Sequence, residues 1–296
     1  MFTPLVFGIA LPAVISGFFL FLGWLWRRNL TDGVWSGALA CAIGAMAGFF
    51  GILDWSGFPP RLAEGWLPFI AGVAGIAGLL ECLVLKKTVP RIFIGFLLVA
   101  AAIWVLIASQ RSSWSTLGFA ALYAGLCAAT LLVLASLDIL ASRRPGLSIP
   151  LCLWVWTAGI AGSLALTGSL RYGELAGVLA ATMGAGIVAA FLNSNISFAR
   201  GAVPVLAPLA IGLVICGYFY SELPISSAPI LALSPMILWV GESKFATGRR
   251  PWIGALMRAG LIALPVGIAL ILAAWPMLFP KSSPKGPGNV PSEEYY

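Results

Sequence analysis

Two ionisable residues, Glu81 and Arg258, stand inside long apolar runs and are the first candidates for chemistry in this sequence. Each lies about one helical turn from the end of its run, so the two share a depth if the runs are membrane helices. Charge within hydrocarbon is costly, and a residue of this kind is by default a candidate for a functional site. The opposite charges predict an ion pair that acts as a gate or contacts a solute. The alternative is that both side chains extend to the membrane interface.

Three further residues are candidates for substrate binding or gating. Asn193 and Asn195 lie in a polar junction, Phe191 to Ser197, which is suited to a polar or anionic group. The same junction is typical of a tight turn, because Asn and Ser side chains bond their local backbone. Glu222 falls within one position of Glu81 when the sequence is shifted by 140 residues, which predicts paired gates at opposite membrane faces.

Catalytic and cofactor sites find little support in the sequence. The 296 residues include no histidine, which excludes His-based zinc sites, bis-His haem and Ser-His-Asp catalysis. No P-loop and no G-x-S-x-G motif occurs. The five cysteines stand in apolar runs without CxxC spacing, which predicts small buried side chains. We expect no metal, no cofactor and no enzyme activity; an enzyme acting on lipids would need an interfacial acid or base, such as Asp54, Asp138 or Glu222.

Membrane helices are the elements that must position these residues. Hydrophobic residues make up 60% of the chain and charged residues 9%, and the mean hydropathy is +1.01. Too few polar residues remain to cover a water-soluble fold. A bilayer core about 30 Å thick requires about 20 apolar residues per helix. Ten segments meet or approach this length: 5–26, 33–53, 66–85, 90–108, 115–140, 147–168, 174–192, 202–221, 224–241 and 253–278.

The ninth segment is the least regular of the ten. It carries Pro229 and Pro235, with Pro224 just before it. Proline frees backbone carbonyls that neighbours or a ligand must satisfy. We therefore expect a broken helix or a re-entrant segment there.

Basic residues predict the orientation of the chain. With the N-terminus outside, the inner connections hold 12 of the 17 Lys and Arg residues and the outer side holds 5. Cytoplasmic loops carry such an excess, so we predict ten spans in the cell (inner) membrane with both termini on the non-cytoplasmic side. The same clustering argues against a nucleic-acid partner. Residues 280–296 are rich in proline and polar residues, which predicts a disordered tail after a transmembrane domain over 1–279.

An internal repeat is a further hypothesis. The shift of 140 residues superimposes spans one to five on spans six to ten and aligns Gly37 with Gly177 and Gly44 with Gly184. Five spans per half would make the halves, 1–142 and 143–279, inverted, which is common in secondary transporters. The alternative is chance, because Gly is abundant in membrane helices and evenly spaced spans superimpose trivially.

The sequence thus predicts an all-α, polytopic membrane bundle of about ten helices and leaves two functions open. The first is a transporter or permease for a small neutral or lipophilic solute, with an inverted repeat. The second is a non-catalytic subunit or scaffold of a larger membrane complex, favoured by the small-residue faces of the helices. The expected partners are the lipid bilayer, a small-molecule solute, and other membrane proteins or further copies of this chain.

Overall fold

A computed structural model describes residues 6–26, 34–53, 57–83, 88–193, 198–199, 201–242 and 251–278. All regular structure in these ranges is helical, as the sequence predicts. We label the α-helices α1 to α10 in chain order: Leu11–Trp26, Val34–Ile52, Leu67–Leu83, Thr88–Ile107, Thr116–Arg143, Ser148–Leu166, Leu170–Leu192, Val203–Tyr220, Ser227–Leu233 and Pro251–Leu278. Four shorter helical segments adjoin them: a π-helical turn Val6–Ala10 and the 3-10 segments Ala63–Trp66, Ala108–Ser113 and Ser234–Glu242.

Nine helices in the described ranges are long and apolar enough to cross a membrane, judged by length and composition. Their outward side chains agree with this assignment. Val14 and Phe18 on α1, Ile92 on α4, and Leu264 and Ile268 on α10 are each more than half exposed. A continuous surface of such residues is unsuited to water, whereas helices in lipid satisfy their own backbone polar groups. These apolar helices indicate a multi-pass membrane protein.

The ninth segment, 224–241, is a broken helix, as its prolines predict. Its α-helical part, α9, has seven residues and continues as a 3-10 helix from Ser234. Pro235 has no amide hydrogen, so the carbonyl of Leu231 loses its usual donor four residues later. That carbonyl instead accepts hydrogen bonds from the Trp156 indole at 2.7 Å and the Ser234 hydroxyl at 2.9 Å. The break therefore has a local cause, and a full tenth crossing stays a prediction.

Helix α8 forms the centre of the bundle. Its apolar stretch is 83% buried inside the protein, against 22% for α5 and for α10. It packs against α2 to α7 and against α9. On the outside of the bundle, α1 packs against α2 and α7, and α10 packs against α6 and α9. The central helix is thus shielded from lipid by its neighbours, which is why its sequence is apolar on every face.

The helix ends meet in two groups. Contacts join the ends of α3, α5 and the ninth segment to the beginnings of α4, α6 and α10, and we call this the basic end. At the other end of the bundle, the opposite end, Glu64 pairs with Arg171 at 3.1 Å. There Ser109 also shares a 2.7 Å hydrogen bond with Tyr220. The helix ends grouped by these contacts are the ones that the basic-residue pattern assigns to the same membrane face.

Candidate functional site

A cavity of about 360 Å³ lies at the basic end, between α3, α4, α5 and the start of α8. Three charged residues, Glu81, Arg91 and Asp138, form its polar part. The rest of its wall is apolar: Ile92, Gly95, Phe96, Leu131, Leu134, Ala135, Ile139 and Pro204. Its volume falls in the range of ligand pockets, about 300–1,000 Å³. The cavity therefore has apolar walls and a charged floor, the name we use for Glu81, Arg91 and Asp138 together.

The charged floor is built around one guanidinium group. Nη2 of Arg91 lies 3.0 Å from Oδ2 of Asp138 and 3.5 Å from Oε2 of Glu81. Glu81 is 6% exposed, whereas Arg91 and Asp138 are 18% and 22% exposed. Burial of the two acids within a membrane bundle is unfavourable without a cation nearby, so Arg91 offsets their desolvation. One cation thus links three helices at the basic end.

The sequence brings Glu81 and Arg91 together through a simple feature of helical hairpins. In two antiparallel helices, residues at equal distances from the connection stand at equal depth. Glu81 and Arg91 are each five residues from position 86, so they face each other across the α3–α4 hairpin. Asp138 reaches them from α5, about one turn before that helix ends at Arg143.

The cavity opens between α4 and α5 toward the lipid-facing surface. Ile92 and Phe96 on α4 and Ile139 on α5 line it, and they are 66%, 48% and 41% exposed. Gly95 contributes to this opening because it has no side chain and the space beside it is empty. A Cβ atom at this position would have no neighbour within 4 Å. An apolar opening beside buried charges suits a molecule that reaches the site from the bilayer.

Glu81 and Arg258, the first two predicted residues, are both buried, with 6% of each exposed. Both side chains are thus enclosed by protein at the basic end of the bundle. Glu81 forms an ion pair with Arg91, a basic residue near the start of the predicted span 90–108 that was not among the candidates. Nη1 of Arg258 donates a 3.4 Å hydrogen bond to the hydroxyl of Ser148 at the start of α6. The Glu81–Arg258 pair stays a prediction.

Of the other three predicted residues, Asn193 and Glu222 do not line this cavity. The amide of Asn193 closes the last turn of α7 by donating to the carbonyl of Ala189 at 2.9 Å. Glu222 is exposed and has a positive φ of 51°, at the turn between α8 and α9. The described residues do not include Asn195. Substrate roles for all three residues, and the tight turn as the alternative for Asn193 and Asn195, stay predictions.

A second concave surface lies on the outside of the bundle, between α1 and α7. This groove has a volume of about 490 Å³ and is almost wholly apolar. The small residues Gly17, Ala181 and Gly184 and the aromatic residues Trp24 and Trp154 are among those that line it. Small residues allow another helix or a lipid chain to approach closely.

Four of the five cysteines are buried, as the sequence predicts, and Cys82 is half-buried. All five are free thiols, and Cys41, Cys127, Cys152 and Cys216 are buried. In the described part of the chain, no group of three or more Cys, Asp or Glu side chains is arranged to hold a metal ion.

Comparison with protein-family models, with curated proteins and with solved structures found no match to this chain.

Proposed function

We propose that this chain is a transporter or permease for a small neutral or lipophilic solute. The observation that carries the proposal is the cavity of about 360 Å³, which joins an apolar opening on the lipid side to the Glu81–Arg91–Asp138 cluster. An ionisable cluster inside a membrane bundle is costly unless it has a use. A cavity between helices is also the usual form of a solute site in such bundles.

The proposal includes a membrane topology. The basic end faces the cytoplasm and both termini lie on the other side of the cell membrane, because basic residues favour the cytoplasmic face. This arrangement requires ten crossings. The seven residues of α9 and the nine 3-10 residues after it have a combined length of about 28 Å, since a 3-10 helix rises about 2 Å per residue. That length approaches the hydrocarbon thickness of about 30 Å.

The inverted repeat remains part of the proposal. In its favour, α1 packs on α2 as α6 packs on α7, and α4 packs on α5 as the ninth segment packs on α10. The aligned glycines nevertheless differ in surroundings. A Cβ at Gly44 would collide with the Ser16 hydroxyl, whereas one at Gly184 would meet only the Trp154 ring at 3.9 Å. If the halves share an origin, the groove beside α7 marks where they have diverged.

Helix α3 is the element we expect to move. Glu64, just before it, pairs with Arg171 at the opposite end, and Glu81 pairs with Arg91 at the basic end. The two pairs hold the same element at both membrane faces. We expect the ion pair at one membrane face to break when that face opens, while the pair at the other face stays formed. The solute would then reach the cavity from one side of the membrane at a time.

Pulsed electron paramagnetic resonance tests this movement. One spin-label pair replaces Leu62 and Leu170 at the opposite end, and the other replaces Val89 and Ser142 at the basic end, in a variant without the native cysteines. All four positions are exposed. A transporter should populate more than one distance at each end.

Arg171→Ala provides the perturbation, because it removes the ion pair at the opposite end. We expect the distances there to lengthen and those at the basic end to shorten. Arg61→Ala, at an exposed arginine on the same face, is the matched control and should change neither. A single distance at each end that Arg171→Ala does not alter would contradict the transport proposal.

The second candidate function is a membrane subunit or scaffold, which the groove between α1 and α7 favours. Its small lining residues and exposed position fit a transmembrane helix of another protein. Purification in mild detergent discriminates the two. A partner present at fixed stoichiometry, and lost on Gly184→Phe, supports the scaffold.

A further inference from the structure

The cavity at the basic end contains a hydrogen-bond donor that points to the class of solute. The Nε atom of Arg91 is buried and has no hydrogen-bond partner among the described residues. A guanidinium N–H can only donate, and a buried donor without an acceptor is unfavourable. The Arg91 side chain lines the cavity, so a shift of its guanidinium group on binding would bring the buried Nε–H to an acceptor on a molecule held there.

The two carboxylates narrow the chemistry of that acceptor. Glu81 and Asp138 both face the same guanidinium, so an anionic head group beside Arg91 would be repelled by two negative charges. A carbonyl or ether oxygen accepts a hydrogen bond from Arg91 but has no proton to donate to the carboxylates. A hydroxyl does both, because its oxygen accepts from Nε–H while its own proton is donated to a carboxylate oxygen. Carboxylate oxygens each have two acceptor sites, so existing contacts of Asp138 do not prevent this bond.

The apolar walls and the opening of the cavity indicate the chemistry of the bound solute beyond its head group. The cavity is apolar apart from its floor, and it leads past Ile92, Phe96 and Ile139 to lipid. A hydrocarbon chain therefore fits with its head on Arg91 and its tail between α4 and α5, extending into the bilayer. We propose that this site binds a neutral lipophilic alcohol. The inference names the solute class of the proposed transporter and rests on that proposal for its biological meaning.

Photolabelling in lipid nanodiscs tests the head-group requirement. The probes are three 12-carbon chains with a diazirine at mid-chain and a hydroxyl, a carboxylate or an ammonium head. We expect the alcohol to label α4 and α5 saturably near Ile92, Phe96 and Ile139, and the acid and the amine to label them at least tenfold less. Equal labelling by all three heads would overturn the assignment, and this comparison needs no variant.

Two variants test the position of the site. Gly95→Phe places a ring in the open space beside Gly95 and should abolish labelling by the alcohol. Gly125→Phe on α5 is the matched control, because its Cβ also has no neighbour within 4 Å but the residue does not line the cavity. Arg91→Lys keeps the positive charge but lacks Nε, and we expect labelling to fall at least fivefold. Unchanged labelling in Gly95→Phe and Arg91→Lys would show that the alcohol binds elsewhere.

The two proposals fail in different experiments. Alcohol-specific labelling without a second conformation in the spin-label distances would leave the binding site standing and remove the transport function. Alternating distances without alcohol-specific labelling would leave transport standing and remove the alcohol as its solute.

Discussion

The hydrogen bonds around Pro235 allow a quantitative test of how the broken ninth segment is stabilised. The Leu231 carbonyl accepts from Trp156 Nε1 and from Ser234 Oγ. All three residues are buried, with 0% of Trp156 and Leu231 and 3% of Ser234 exposed. Removing either donor should leave the carbonyl with one partner, and removing both should leave it with none. The double variant Trp156→Phe/Ser234→Ala is therefore the informative perturbation.

The expected magnitudes follow from these partners. Each hydrogen bond contributes about 0.5–1.5 kcal/mol net, and bonds between membrane helices average about 0.6 kcal/mol. Trp156→Phe also reduces ring volume, but that loss cancels in a double-mutant cycle. A buried carbonyl without a donor costs a further 1–3 kcal/mol or so. The double variant should thus lower the free energy of unfolding by about 1–3 kcal/mol more than the two single variants together.

Pro235→Ala provides the control, because alanine restores the amide that Leu231 would bond in a regular helix. In that background the excess loss of the double variant should disappear. The assay is unfolding in mixed micelles of rising sodium dodecyl sulfate content, followed by circular dichroism at 222 nm. Additive single effects, or an excess that persists with Pro235→Ala, would refute this explanation of the break.

Three further predictions concern stability in the same assay. Arg91→Met should lower the free energy of unfolding by about 3–5 kcal/mol, because it leaves two carboxylates without their shared cation. Arg91→Lys keeps the cation and should lower it much less. Equal losses in the two variants would count against the ion-pair cluster. Gly159→Leu should lower the free energy of unfolding by about 1–3 kcal/mol or prevent folding, since the new side chain would collide with Val266. The control Gly267→Leu places the same side chain in open space and should change that free energy by less than about 0.5 kcal/mol. Glu222→Gly should stabilise the protein by about 1 kcal/mol, because its φ of 51° suits glycine; a loss of stability would give the Glu222 side chain a structural role.

The helices were predictable from sequence because the hydrocarbon core imposes a length and an apolar composition on each of them. The observed bounds of α2, Val34–Ile52, and α6, Ser148–Leu166, differ from the predicted spans by one or two residues. The change to a 3-10 helix at Ser234 was not predictable in kind, although the prolines predicted a break. The Leu231 carbonyl at the break is bonded by Trp156, a donor from a distant helix that no local pattern indicates.

The candidate site was only partly predictable. Glu81 was found because charge inside an apolar run is rare. Arg91 was missed because the run of basic residues before it looks like a loop signal, although its symmetric spacing from Glu81 about position 86 was available. Asp138 was considered only as an interfacial acid or base for an enzyme acting on lipids, and not as a partner of Glu81 or Arg91. Which helices surround α8, and hence which acids face Arg91, depends on tertiary packing that hydropathy does not specify.

The most direct test of a membrane-crossing bundle is the side of the membrane on which its two ends lie. In cells that express a variant without native cysteines, Ser142→Cys reports on the basic end and Leu170→Cys on the opposite end, and both positions are exposed. A membrane-impermeant maleimide should label Leu170→Cys in intact cells and Ser142→Cys only after the membrane is permeabilised. Labelling of both positions from one side would mean that α6 does not cross the membrane, and the bundle described here would be wrong.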